Sequence, residues 1–119
     1  MQPPYIYRAT VTNVVDGDTF DAVVDLGFNV QTRIRFRMLG LDTAELSSPD
    51  PGQRVLAIKA RTFLTNAALN QQATIHSHKA DKYGRWLAEL FIDGKPLSIN
   101  NQLLLEGLAK PYFGGTRGQ

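Results

Sequence analysis

Between Thr32 and Met38 the chain alternates with a strict period of two, Ile34, Phe36 and Met38 interleaving with Arg33, Arg35 and Arg37. An extended strand sorts such a set onto two faces, one for a core and one lined by guanidinium groups. Arg33 and Arg35 read as an ordinary solvated face. Arg37 differs, because the strand runs on into Leu39-Gly40-Leu41-Asp42-Thr43-Ala44-Glu45, where apolar residues give way to two carboxylates. A sheet needs no acids at its exit. Side chains placed where a rigid element ends can be fixed in position and still reach water, metal or substrate. A turn capped by Asp42 beside a solvated Glu45 would look the same, and this segment alone leaves the two readings level.

The flanking sequence supplies more strands. Residues 5–15 are rich in β-branched and aromatic residues, and Asp16-Gly17 predicts a tight hairpin in which Gly17 takes a positive φ. Phe20 to Leu26 resumes the extended pattern, and Gly27 with Asn29 predicts a second reversal. A helix is expected from Pro51 to about Leu69, with Asp50 as N-cap, Pro51 at the first position and Gln53 at capping-box spacing. Its core face is read as Leu56, Ala60, Phe63, Leu64 and Ala67, leaving Arg54, Lys59, Arg61 and Asn66 in solvent. Residues 73–78 predict a fourth strand with His76 and His78 on its surface. The turn Asp81-Lys82-Tyr83-Gly84-Arg85, with Gly84 in a special conformation, leads to a fifth strand over 86–92. A short helix is expected over 99–106, capped by Ser98 or Asn100 and stopped by Gly107, before a Gly-rich tail expected to be mobile near its end. Three strands, a helix, two strands and a short helix describe an α+β, mainly β protein. The natural candidate is a five-stranded Greek-key barrel of the oligonucleotide-binding (OB) type with one longer and one short helix packed on it, a generic α+β sandwich being the alternative.

At 119 residues this is one domain, 1–119, able to bury a modest core. A net charge of +2 does not predict indiscriminate binding to nucleic acid, yet it permits a local basic cleft. The absence of cysteine excludes disulfides, thiolate chemistry and Cys-based zinc, and two histidines exclude a His-rich metal site. Neither a signal-like start nor a membrane-length apolar run is present, so a cytoplasmic, intracellular protein is expected.

Three clusters of polar residues exceed what the strand pattern requires: Asp16 and Asp18 in the first hairpin, Arg37 with Asp42 and Glu45, and Arg85 at the entry to the fifth strand. Carboxylates without Cys or His suit a hard cation such as calcium or magnesium. Two arginines beside it suit a phosphate, whose oxygens a guanidinium fork can pair. Metal, carboxylate and arginines together are what phosphodiester hydrolysis needs. Spacing alone does not show that the clusters meet.

Four blocks carry a resemblance: Val15-Asp16-Gly17-Asp18-Thr19, Arg37 through Glu45, Asp81 through Arg85, and Glu106-Gly107-Leu108-Ala109-Lys110. The sequence resembles the staphylococcal nuclease (thermonuclease) family of calcium-dependent phosphodiesterases, and the blocks occur in family order. The resemblance implies an OB barrel, Ca2+ ligated by the carboxylates of Asp18 and Asp42 and the main-chain carbonyl of Thr43, and Glu45 as general base. It further implies that Arg37 and Arg85 bind the scissile phosphate and assist departure of the 5′-oxygen. Lys82 and Tyr83 would contact a neighbouring phosphate, and Tyr112 or Phe113 would stack on a base. Asp16 fits a turn role better than ligation.

The expected activity is hydrolysis of DNA or RNA with little sequence preference, leaving 3′-phosphates, by a monomer acting on single-stranded or locally open nucleic acid. Two departures accompany the resemblance. Ala44 stands where the family has proline, and the chain ends soon after its second helix, where secreted members carry a third. With no secretion signal, an intracellular, phage- or plasmid-borne role is expected. The alternatives are a non-catalytic OB module that binds nucleic acid or a partner, and an interaction domain for which nucleic acid is irrelevant.

Overall fold

The computed structural model describes residues 5–78 and 80–112. Its elements are β1 (Tyr5–Asp16), β2 (Thr19–Asp25), β3 (Gln31–Met38), β4 (Leu41–Asp42), α1 (Pro51–Ala68), β5 (Gln72–His78), β6 (Trp86–Ile92), α2 (Ile99–Leu105) and β7 (Lys110–Pro111). Five strands close into a barrel in the order β1-β2-β3-β6-β5. Closure needs β1 to pair on both edges, with β2 along one and β5 along the other, and irregularities after Val11 and Val14 bend it to do so. The last seam is a short parallel pairing of Phe36, Arg37 and Met38 with Trp86, Leu87 and Ala88. This is the OB-type barrel expected from the sequence; an open sandwich would leave two sheet edges, which closure of the five-stranded sheet removes.

Alternation along the strands fills the barrel with Val11, Phe20, Ala22, Phe36, Met38, Ile75 and Leu90, and α1 and α2 cover it with Leu64, Ile99 and Leu103. Each large apolar side chain buried this way contributes about 1.5–3 kcal/mol relative to exposure. Phe20 and Phe36 stack with centroids 5.4 Å apart across the β2–β3 pairing. Among the described residues no helix is long and apolar enough to cross a membrane.

The structure corrects several local expectations. The buried stripe of α1 is Ala57, Ala60, Leu64 and Ala68, whereas Leu56 is 38% exposed and Phe63 and Ala67 are only partly covered. The alanine stripe brings the helix axis close to the barrel, a choice that hydropathy, weighted toward large side chains, does not register. Asp50 caps α1 as expected, but through Gly52 N–H at 2.9 Å rather than through a box with Gln53. The helix ends at Ala68 with Leu69 as its C-cap, and Asn70, whose φ is +63°, follows as a left-handed stop. Ser98 is the cap of α2; Asn100 is buried and accepts from Leu90 N–H while donating to the carbonyls of Leu39 and Ala88. His76 and His78 lie on the outer face but are half-buried, His76 against Phe91 and His78 3.2 Å from Glu89.

Gly84 has the positive φ expected of it, while Gly17 does not. A Cβ on Gly17 would lie 2.5 Å from that of Ala60 and 3.1 Å from Thr43 Cγ2. Gly17 is needed for close approach, since the hairpin tip is wedged between α1 and Thr43. The sequence reading also lacked β4 and β7, whose two-residue pairing (Leu41 with Pro111, Asp42 with Lys110) clamps the chain on both sides of the candidate acids. Two residues are too few to show a period.

Candidate active site

The β1–β2 turn, the end of β3, the β4 exit, the β5–β6 turn and the end of β7 meet at one rim of the barrel. Arg37, Glu45, Arg85, Asp18, Asp42, Thr43, Lys82, Tyr83 and Tyr112, the side chains singled out above, all line one hollow of about 700 Å³ there. Asp16, Thr19, Ala44, Leu46 and Ser47 complete its wall, while Phe113 lies outside the described residues. The parallel β3–β6 seam accounts for the assembly. It sets Arg37 opposite Leu87 and so places the turn bearing Arg85 beside the end of β3.

Arg37 is at the centre. It is buried, and its Nη2 lies 2.8 Å from Asp42 Oδ1, 3.4 Å from Asp18 Oδ2 and 3.5 Å from the carbonyl of Leu41. Its guanidinium carbon stands 5.5 Å from the Tyr112 ring centroid. Among the described residues all three bonds use Nη2 and none uses Nε or Nη1. Asp18 is further held by Thr43 N–H at 3.2 Å and the Thr19 hydroxyl at 3.1 Å. Burial alone would raise the Asp18 pKa. The hydrogen bond shared with Asp16, the charge of Arg37 and the Thr43 N–H together hold it below the ordinary carboxylate range.

Asp16 accepts from Asp18 N–H at 3.1 Å, which is the turn role expected of it. Its own carboxyl is pushed up to about 6 by burial and by Asp18 beside it. Two acids that oppose each other's ionisation are a place where a cation is favoured.

The donor set fits calcium. Asp18 and Asp42 converge on one guanidinium nitrogen, so a single ion can reach both, and the backbone of Thr43 is already bonded to Asp18. All are hard oxygen donors. Among the described residues no group of three or more His, Cys, Asp and Glu is assembled as a metal site, so main-chain oxygen and water would have to complete the shell of an ion held there.

On the opposite side Lys82 Nζ and the Arg85 guanidinium carbon each lie 5.2 Å from the centroid of the exposed Tyr83 ring. From the sequence Asp81 reads only as part of a turn and of a family block, with no role of its own, and its carboxylate pairs with Arg85 at 2.7 Å. The available signal was an aspartate opening a turn that ends in glycine, a pattern in which the side chain bonds main-chain N–H groups further along.

Comparison with known proteins gives a match over residues 35–118 to the family described as staphylococcal nuclease homologue. The chain is 34% identical over 105 residues to a protein of Staphylococcus hyicus named thermonuclease, covering 87% of this chain and 58% of the relative. It is 36% identical over 107 residues to the SPbeta prophage-derived endonuclease YokF of Bacillus subtilis, covering 87% of this chain and 34% of the relative. It is 29% identical over 113 residues to a micrococcal nuclease of Shigella flexneri, covering 89% of this chain and 59% of the relative. The chain thus spans between a third and three-fifths of the length of these relatives.

Proposed function

Because the chain belongs to the staphylococcal nuclease family, we propose that it is a calcium-dependent phosphodiesterase that hydrolyses DNA or RNA with little sequence preference. The reading is supported above all by the convergence of Asp18 and Asp42 on Arg37 in a hollow that Glu45 and Arg85 also line. Asp18, Asp42 and the Thr43 carbonyl would hold the calcium ion, which would supply positive charge to polarise the phosphoryl group. Glu45 takes a proton from the attacking water as its oxygen bonds to phosphorus. Arg37, through Nε and Nη1, and Arg85 donate to the phosphoryl oxygens and offset the charge that builds there. The P–O5′ bond breaks, the 5′-oxygen leaves and takes up a proton, and a 3′-phosphate remains on the other strand end. Lys82 and Tyr83 meet the adjacent phosphate, and Tyr112 offers a ring for a base, worth about 1–3 kcal/mol with little sequence preference. Single-stranded or locally opened strands suit a hollow at a barrel rim, and a monomer suffices to build it.

Cleavage of single-stranded DNA by the purified chain, in calcium and in chelator, tests the proposal, with Glu45→Gln run beside it. Calcium-dependent cutting that falls by about 10²–10⁴ in the variant is expected. Calcium binding without cutting would leave a binding module, and cutting undiminished in Glu45→Gln would remove Glu45 as the base.

A further inference from the structure

We propose that Asp81 is the positioning residue for Arg85, gripping one edge of its guanidinium so that the opposite edge is presented to a phosphate in the hollow. The task assigned to Arg85 rests on the nuclease reading; the grip itself does not.

Asp81 is absent from the wall of the hollow but opens the hydrogen-bonded turn that leads into β6. Its Oδ1 accepts from Tyr83 N–H at 2.9 Å and from Arg85 N–H at 3.0 Å. Its Oδ2 accepts from Arg85 Nε at 2.9 Å and lies 2.7 Å from Nη2 in an ion pair. The main chain closes the same loop, with Asp81 N–H donating to the Arg85 carbonyl and Gly84 N–H to that of Asp81, both at 2.9 Å. One carboxylate therefore shapes the turn with one oxygen and holds the guanidinium with the other. Tyr83 backs the ring-like fork from its face. Although burial raises the Asp81 pKa, the main-chain and side-chain bonds from Arg85 outweigh it and keep the carboxylate ionised and gripping.

The arrangement matters because Arg85 is otherwise an exposed, many-jointed side chain, 46% exposed even when held. Left loose, it would surrender its rotamer freedom each time a phosphate bound, and its fork would seldom lie in line with the phosphoryl oxygens. With Nε and half of Nη2 engaged on one edge, Nη1 and the outward N–H of Nη2 form a second edge spaced for two phosphate oxygens. An isolated surface ion pair has no need of a carboxylate that also accepts from two main-chain N–H groups.

Asp81→Asn separates this role from a purely structural one. It keeps an oxygen for the two main-chain N–H groups and sets an amide N–H2 against Arg85 Nε–H. The first readout is the Nε–Hε resonance of Arg85, identified by its loss in Arg85→Lys. Slow exchange in wild type and fast exchange in Asp81→Asn, at an unchanged melting temperature, are expected. The second is steady-state cleavage of single-stranded DNA in calcium. Asp81→Asn should lower kcat by about 10- to 100-fold with KM nearly unchanged, and lower it no further in an Arg85→Lys background. Equal losses in both backgrounds, or a kcat that stays or rises because Asp81 merely competes with phosphate, overturn the inference. If wild type does not cut at all, the nuclease proposal fails and the resonance decides alone, a fast-exchanging wild-type signal removing the grip.

Discussion

Gly17→Ala is predicted to destabilise the protein by steric overlap, not by backbone strain. Gly17 lacks a positive φ, so alanine is conformationally acceptable there. The new methyl, however, would sit 2.5 Å from Ala60 Cβ and 3.1–3.2 Å from the Thr43 side chain. Carbon atoms in contact settle near 3.5–4.0 Å, so the hairpin tip and α1 must separate by about 1 Å or more. Ala60 is fully buried on a helix whose stripe also carries Ala57, Leu64 and Ala68, and retreat would loosen that whole seam. Overpacking of this kind costs about 1–3 kcal/mol.

Urea unfolding of a double-mutant cycle measures it. Ala60→Gly removes the struck atom at a helix penalty of about 1 kcal/mol. In that background Gly17→Ala should cost at least 1 kcal/mol less than it does alone, because only the milder Thr43 contact is left. Strict additivity would refute the steric argument and point to the turn conformation itself. The separation also shifts Thr43, so calcium affinity should fall in Gly17→Ala and recover in the double variant.

Two further predictions concern stability. Asn100→Ala leaves the Leu90 N–H and the Leu39 carbonyl without the amide, while the Ala88 carbonyl keeps its bond from Leu39 N–H, so it should cost about 3 kcal/mol in urea unfolding, and a loss below 1 kcal/mol would show that water or neighbours replace the amide. The carboxyl of Asp21 is held below its ordinary value by the hydrogen bond from Arg35. A depressed carboxylate stabilises above its unfolded pKa of about 3.9 and loses that contribution as pH falls through its lower folded value. The stability gap between wild type and Asp21→Asn, of the order of 1 kcal/mol at pH 7 for so exposed a partner, should therefore close below about pH 4. A gap that persists at pH 2, measured by unfolding of both proteins, would locate the effect in packing.

The sequence by itself determined the five barrel strands, because period-two alternation, as in Ile34, Phe36 and Met38, is imposed locally by burial of one face. It also determined both helix positions, through Asp50, Pro51, Ser98 and Gly107, whose capping geometry involves only residues a few places away. The chemical character of the site was legible for a related reason. Asp18, Asp42, Glu45 and the two arginines stand where no strand or turn requires them.

What only the tertiary structure decided is everything that depends on distant partners. Gly17 reads as a turn residue until Ala60 and Thr43 are seen against it. Asn100 reads as a cap until it is found joining β6 to the end of β3. The face of α1 is chosen by how closely alanines let it approach the barrel, and β4 with β7 pairs residues about seventy places apart. Above all, the sequence names the acids and arginines but contains nothing that sets their distances. Those follow from closing the barrel, where the register of β3 against β6 brings Arg85 beside Arg37.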